Sequence, residues 1–146
     1  YVRFLMAKIA ADTGQTEEAL ADLKVLSENY KDPFVRSRAE YSRIILEMNR
    51  DIINKTQVLE RLERLRLSWH GDSLELKVLN FLGEIYADNK DWVNAMRIWD
   101  AAVYAYAGTP KAAEISAKME ETFVRMFNEG TADALSPLEA LALYYQ

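Results

Sequence analysis

Few residues are of a type and spacing to do chemistry. The single histidine, His70, sits in Trp69-His70-Gly71-Asp72, which reads as a turn between helices. A histidine general base needs an orienting partner and a pocket; an exposed turn imidazole is the commoner case. Carboxylates are plentiful, but Glu17-Glu18 and Glu120-Glu121 are direct neighbours. Neighbours on a helix point about 100° apart and do not readily share a metal. No glycine-rich phosphate loop, Gly-x-Ser-x-Gly elbow or His-Glu-x-x-His helix occurs. With no cysteine there is no disulfide and no thiolate metal site. The expectation is no catalytic residue, no metal and no cofactor. Asn54-Lys55-Thr56 is formally a glycosylation sequon, although such triplets are more often accidental.

The run Leu59-Glu60-Arg61-Leu62-Glu63-Arg64-Leu65-Arg66-Leu67 alternates arginine with leucine. Glu60 stands four residues before Arg64, a helpful pair on a helix surface. A solvated helix with a core stripe explains the run better than a nucleic-acid contact does. The net charge of −5 also argues against nucleic acid. The charge is uneven: residues 33–66 hold eight Lys/Arg against five Asp/Glu, and residues 67–146 hold six against twelve.

The elements that must position these residues follow from a repeat. Four segments align on Ala19, Val58, Ala95 and Ala140. Next to each anchor stands Leu20, Leu59, Met96 or Leu141, and four residues past it Leu23, Leu62, Trp99 or Tyr144. Seven past it are Leu26, Leu65 and Ala102, and eleven past it an aromatic recurs at Tyr30, Trp69 and Tyr106. These offsets lie on one helical stripe. A second helix precedes each, with stripes Tyr41, Ile44, Ile45, Met48, then Leu79, Leu82, Gly83, Tyr86, then Ser116, Met119, Glu120, Phe123 with Phe127 beyond. Residues 1–11 are apolar nearly all round except Arg3 and Lys8, so this helix should be covered on more than one side.

Helix-start chemistry marks the breaks: Asp32-Pro33, Thr109-Pro110, Ser136-Pro137-Leu138-Glu139, Asp72-Ser73-Leu74-Glu75 and Thr16-Glu17-Glu18, with Thr56 and Asp91 as further caps. Strand alternation is absent. The prediction is an all-α chain with helix pairs near 1–12 and 16–30, 33–49 and 56–69, 73–88 and 91–107, 110–128 and 136–146. Its longer connections fall near 50–55 and 128–136.

The stretch Leu82-Gly83-Glu84-Ile85-Tyr86-Ala87-Asp88-Asn89-Lys90-Asp91-Trp92-Val93-Asn94-Ala95, continued by Trp99, Ala102 and Pro110, resembles the signature of the tetratricopeptide-repeat family. The first unit matches more loosely through Gly14, Ala19, Leu23, Leu26 and Pro33, and the second and fourth mainly in their second helices. The repeats are longer than the family's usual length, Ile45 stands where the glycine belongs in the second, and the fourth carries an insertion from Asn128 to Ser136. The resemblance implies a right-handed superhelix of about four antiparallel helix pairs over residues 1–146, read as a single domain cut from a longer protein. A glycine inside a helix costs about 1 kcal/mol against alanine, so Gly83 should permit close approach of the paired helix at Ala95.

The resemblance also implies a function: a scaffold, not an enzyme, binding a protein or peptide in a concave groove lined by the first helix of each pair. The matching positions are Phe4, Lys8 and Asp12; Arg43, Leu46, Asn49 and Arg50; Asn80, Phe81, Glu84 and Asp88; and Glu121 and Arg125. Arg43 and Arg50 would make the middle of the groove basic, and Glu84 and Asp88 the next part acidic. Phe4, Leu46 and Phe81 would serve as apolar anchors. The family's carboxylate clamp is not carried over, because its places hold Phe4, Lys8, Arg43, Lys77 and Phe81. Two other readings remain: a stretch of a long solenoid in a bacterial envelope or assembly protein, whose aromatic, Pro-or-Asp, amphipathic-helix pattern this sequence resembles, or the helical appendage of an enzyme. The compartment stays open between cytoplasm and periplasm. No apolar run reaches the roughly 18–20 residues that span a bilayer.

Overall fold

A computed structural model of the chain describes residues 1–29 and 31–128. Among the described residues there are seven helices and no strand: α1 (Val2–Asp12), α2 (Thr16–Asn29), α3 (Pro33–Asn49), α4 (Lys55–Ser68), α5 (Ser73–Asp88), α6 (Trp92–Ala105) and α7 (Pro110–Asn128). Each predicted helix is found within about two residues of its expected ends, apart from that near 136–146, which lies outside the described residues, as do Tyr30, Ala140, Leu141, Tyr144 and the cap at Ser136.

The caps explain several of these ends. Asp32 accepts a hydrogen bond from the Phe34 N–H with Pro33 in the first turn of α3. Asp91 accepts from the Asn94 N–H at the start of α6, and Thr109 Oγ1 from the Ala112 N–H at the start of α7. Helix α4 departs from expectation. Its cap is Asn54, not Thr56, and a capping box joins the Asn54 side chain to the Gln57 N–H and the Gln57 side chain to the Asn54 N–H. Thr56 sits already inside the first turn. The sequon asparagine is thus occupied in starting a helix.

The chain divides into two compact units, Tyr1–Leu74 and Glu75 onward. In the first, α1 packs on α2, α2 on α3 and α3 on α4. Short connections and ladders such as Arg3 on α1 to Asp22 on α2 make successive helices antiparallel. Phe4, Ala7, Leu23, Leu26, Val35 and Ala39 form a core, with Leu46 packed against it. In the second unit, α6 packs on α7, and α5 lies against α6 where the Trp99 Nε1–H donates to the Asn80 carbonyl at 3.2 Å and the Tyr106 hydroxyl donates to Glu75 Oε2 at 2.7 Å.

The stripe that defined the repeat is the core of both units. Ala19, Leu23 and Leu26, then Val58, Leu62 and Leu65, then Ala95, Trp99 and Ala102 are each no more than 4% exposed. Two other stripes differ from expectation. On α7 the buried residues are Ala112, Ile115, Thr122 and Met126, while Glu120 and Phe127 are exposed. The burial is therefore rotated by one position from the predicted face, and the threonine takes a core place that hydrophobicity alone assigned to phenylalanine. On α1 only Phe4 and Ala7 are buried; Val2, Leu5, Met6 and Ile9 are exposed. The close approach at Gly83 is made by Trp99: a Cβ there would fall on Nε1, Cδ1 and Cε2 of that indole. Ala95, fully buried, lies one turn earlier on the same helix.

Candidate functional site

In the second unit, Glu84, Ala87 and Asp88 on α5, Trp99 on α6, and Lys118, Glu121, Thr122 and Arg125 on α7 line one cleft of about 160 Å³. A buried tryptophan lies beneath it. Trp99 occupies the space over Gly83 and is anchored through Nε1 to the Asn80 carbonyl. Over this ring, 5.9 Å from its centroid, lies the Lys118 ammonium, which donates to Asn80 Oδ1 at 3.0 Å and to Glu84. The Arg125 guanidinium lies 5.4 Å from the Trp92 ring. Cations held over indole faces gain from the ring quadrupole. Glu84 is thereby neutralised by Lys118. Asp88 and Glu121 are exposed and have no ion-pair or hydrogen-bond partner among the described residues. The cleft therefore carries three carboxylates, Glu84, Asp88 and Glu121, against two cations, Lys118 and Arg125, with Asp88 and Glu121 on α5 and α7 left outside any ion pair among the described residues.

In the first unit, α2, α3 and α4 line a larger cavity of about 540 Å³ that is open to solvent, formed by Ser27, Glu28, Arg36, Ser37, Glu40, Arg43, Arg61, Arg64, Leu65 and Ser68. An ion network crosses it. Arg43 donates to Glu28 and Ser27 through Nη1 and to Glu47 through Nε. Arg61 donates to Glu40 through Nε at 2.8 Å and to Glu47 through Nη1. Burial of Glu47 pushes its carboxyl upward, but the bonds from Arg61 and Arg43 outweigh this and hold it below the ordinary value. Burial likewise disfavours the Arg61 cation, and its bonds to Glu40 and Glu47 outweigh that in turn. Arg61 Nη2 is buried without a hydrogen-bond partner among the described residues, a condition that costs about 1–3 kcal/mol for a polar group.

A third polar cluster closes the end of the first unit. Asp72 accepts from Arg38 Nη2 at 2.6 Å, from Trp69 Nε1 at 2.9 Å and from the Leu74 N–H. Burial raises its pKa, but these three donors outweigh that and bring it to about 2. The Arg38 guanidinium also stacks 3.4 Å over the Phe34 ring. His70, next to this cluster, is exposed in the connection between α4 and α5.

The residues predicted to line a groove have diverse fates. Glu84, Asp88, Glu121 and Arg125 come together in the second unit's cleft, with Asn80 half-buried beside them through Lys118 and Phe81 half-buried on α5. Lys8, Asp12, Asn49 and Arg50 are exposed on the first unit, and Leu46 packs against the core. Phe4 is a core residue, 6% exposed, and is not an anchor open to a partner. Arg43 is not half of a free basic patch: three oxygens of the chain already hold it, and reversing its charge would put a carboxylate beside Glu28 and Glu47. Lys118, the buried Trp99 beneath it and the Arg36–Arg64 cavity are not among the groove positions the repeat points to. The spacing of Arg36, Glu40, Arg43 and Glu47 on one face of α3 was the available signal.

Among the described residues no helix is long and apolar enough to cross a membrane, and no group of three or more His, Cys, Asp or Glu side chains is placed to hold a metal ion. No protein-family model, curated protein or solved structure matches the chain.

Proposed function

We propose that the chain is part of a tetratricopeptide-type array and works as a binding scaffold, holding a peptide or partner helix in the cleft between α5 and α7. The observation that carries this reading is the convergence of Glu84 and Asp88 with Glu121 and Arg125. These positions are equivalent in the repeat on two helices, and they line one cleft. The cleft offers one satisfied ion pair, Lys118–Glu84, set over the buried Trp99, and two exposed carboxylates, Asp88 and Glu121, against one further cation, Arg125, so that its lining keeps an excess negative charge. A partner segment bearing lysine or arginine supplies the missing charge, and charge complementarity of this kind governs specificity and association rate.

The test is a photo-reactive amino acid placed in turn at Asp88, Glu121 and Tyr104, the last an exposed residue of α6 in the same unit. The expected result is one and the same polypeptide attached at Asp88 and Glu121 and absent at Tyr104, with the attached segment rich in basic residues. Adducts no more abundant or uniform at the two acidic positions than at Tyr104 would remove the cleft as the binding surface.

A further inference from the structure

The cavity of the first unit carries a pattern completed on one side and left open on the other. Arg43 of α3 and Arg61 of α4 face each other and are bridged by one carboxylate, Glu47, each oxygen serving one guanidinium. The helices are antiparallel, so a step toward the N-terminus of α3 and a step toward the C-terminus of α4 run the same way along their seam. Two turns from Arg43 that step reaches Arg36, and one turn from Arg61 it reaches Arg64. Both line the same cavity. Neither has a partner among the described residues. Glu28 and Glu40, the two carboxylates in the lining, are already taken by Arg43 and Arg61. Four guanidinium groups against the carboxylates of Glu28, Glu40 and Glu47 leave one positive charge unmatched. A further donor, Arg61 Nη2, also lacks an acceptor among the described residues.

We infer that this cavity binds a small organic anion whose carboxylate or phosphate group bridges Arg36 and Arg64, as Glu47 bridges Arg43 and Arg61. The forked donors of arginine suit either oxyanion. The volume, about 540 Å³, falls within the range of small-molecule sites. The Ser37 and Ser68 hydroxyls donate to the backbone carbonyls of Pro33 and Leu65, so their oxygens keep the walls polar while the arginines supply the recognition. The site is separate from the cleft of the second unit, and its success or failure is independent of the scaffold reading.

The experiment is calorimetric titration of the 146-residue chain with inorganic phosphate and, separately, with succinate, each against sodium chloride at matched ionic strength. We compare wild type with Arg36→Gln, Arg64→Gln, the double variant, and Arg97→Gln as an exposed control elsewhere on the chain. The expected result is one-to-one binding of at least one anion, the stronger of the two identifying the oxyanion. Each single substitution in the cavity should weaken it about tenfold and the pair about a hundredfold, from the loss of one charge-assisted donor per arginine. Arg97→Gln should leave it unchanged. Because Arg36 and Arg64 are exposed and have no partner among the described residues, their variants should keep the wild-type melting temperature. Binding of neither anion above the chloride control, or equal binding by the Arg36→Gln/Arg64→Gln variant, overturns the inference.

Discussion

Replacing Gly83 by alanine puts two effects of opposite sign in competition. In an exposed helix the change would stabilise by about 1 kcal/mol through propensity. Here the new methyl falls closer than 3.0 Å to three atoms of the Trp99 indole. The ring cannot swing aside cheaply, because it is 1% exposed and tied by Nε1 to the Asn80 carbonyl. Overpacking of this kind costs about 1–3 kcal/mol and sometimes more, and displacing the indole sacrifices a hydrogen bond worth about 1 kcal/mol. With the propensity gain subtracted, the hydrogen bond and the propensity cancel and the net loss comes to about 1–3 kcal/mol, a fall in melting temperature of roughly 2–12 °C for a chain of this size. The assay is thermal and urea unfolding of wild type, Gly83→Ala, Trp99→Phe and the double variant. The clash is with the pyrrole side of the indole, so phenylalanine should relieve it. The cycle should show a favourable coupling of about 1 kcal/mol or more, as residues in contact do. A Gly83→Ala protein as stable as wild type, or two substitutions that simply add, would refute the reasoning.

Other perturbations probe other layers. Arg61→Met leaves Glu40 unpaired and removes one of the two bonds to buried Glu47; unfolding should show a loss of about 3 kcal/mol at neutral pH, the scale for breaking a buried pair. Asp72, with a folded pKa of about 2 against roughly 3.9 unfolded, contributes stability that is fully present above about pH 4 and is lost as pH falls toward 2. Asp72→Asn should therefore unfold more easily at pH 7 and show a shallower decline across that acid window, measured by denaturant midpoints at each pH. Ala95→Leu, at a position with no exposure, should cost about 1–3 kcal/mol, and an unshifted melting temperature would contradict its core placement.

Much of the fold was legible because a helix buried along one side writes its core as a stripe. Ala19, Leu23 and Leu26 and their equivalents on α4 and α6 follow that rule without exception. Helix α7 did not, since Thr122 is buried and Phe127 exposed: at one turn's resolution a hydrophobic residue on the boundary outweighs a polar one that is inside. Glu84, Asp88, Glu121 and Arg125 were legible as a set because they repeat a position on equivalent helices. Phe4 shows the limit of that method, as an aromatic on a first helix can serve the core as readily as a surface. The network of Arg43, Arg61, Glu28, Glu40 and Glu47 joins three helices. Its internal pairing within α3 could be read from the spacing of four between Arg43 and Glu47, but its contacts with α2 and α4 depend on how the helices meet.

The scaffold reading stands or falls on the charge of the second unit's cleft. The most direct measurement is the affinity of the partner captured at Asp88 and Glu121 for the wild-type chain and for the Asp88→Lys/Glu121→Lys variant, at two salt concentrations. Both side chains are exposed and have no partner among the described residues, so the fold should be unaffected, as surface changes away from such interactions usually are. Binding should be weakened at least about tenfold at physiological ionic strength, where screening acts over about 8 Å, with a smaller difference in high salt. Equal affinity for both proteins, with the same salt dependence, would contradict the scaffold reading.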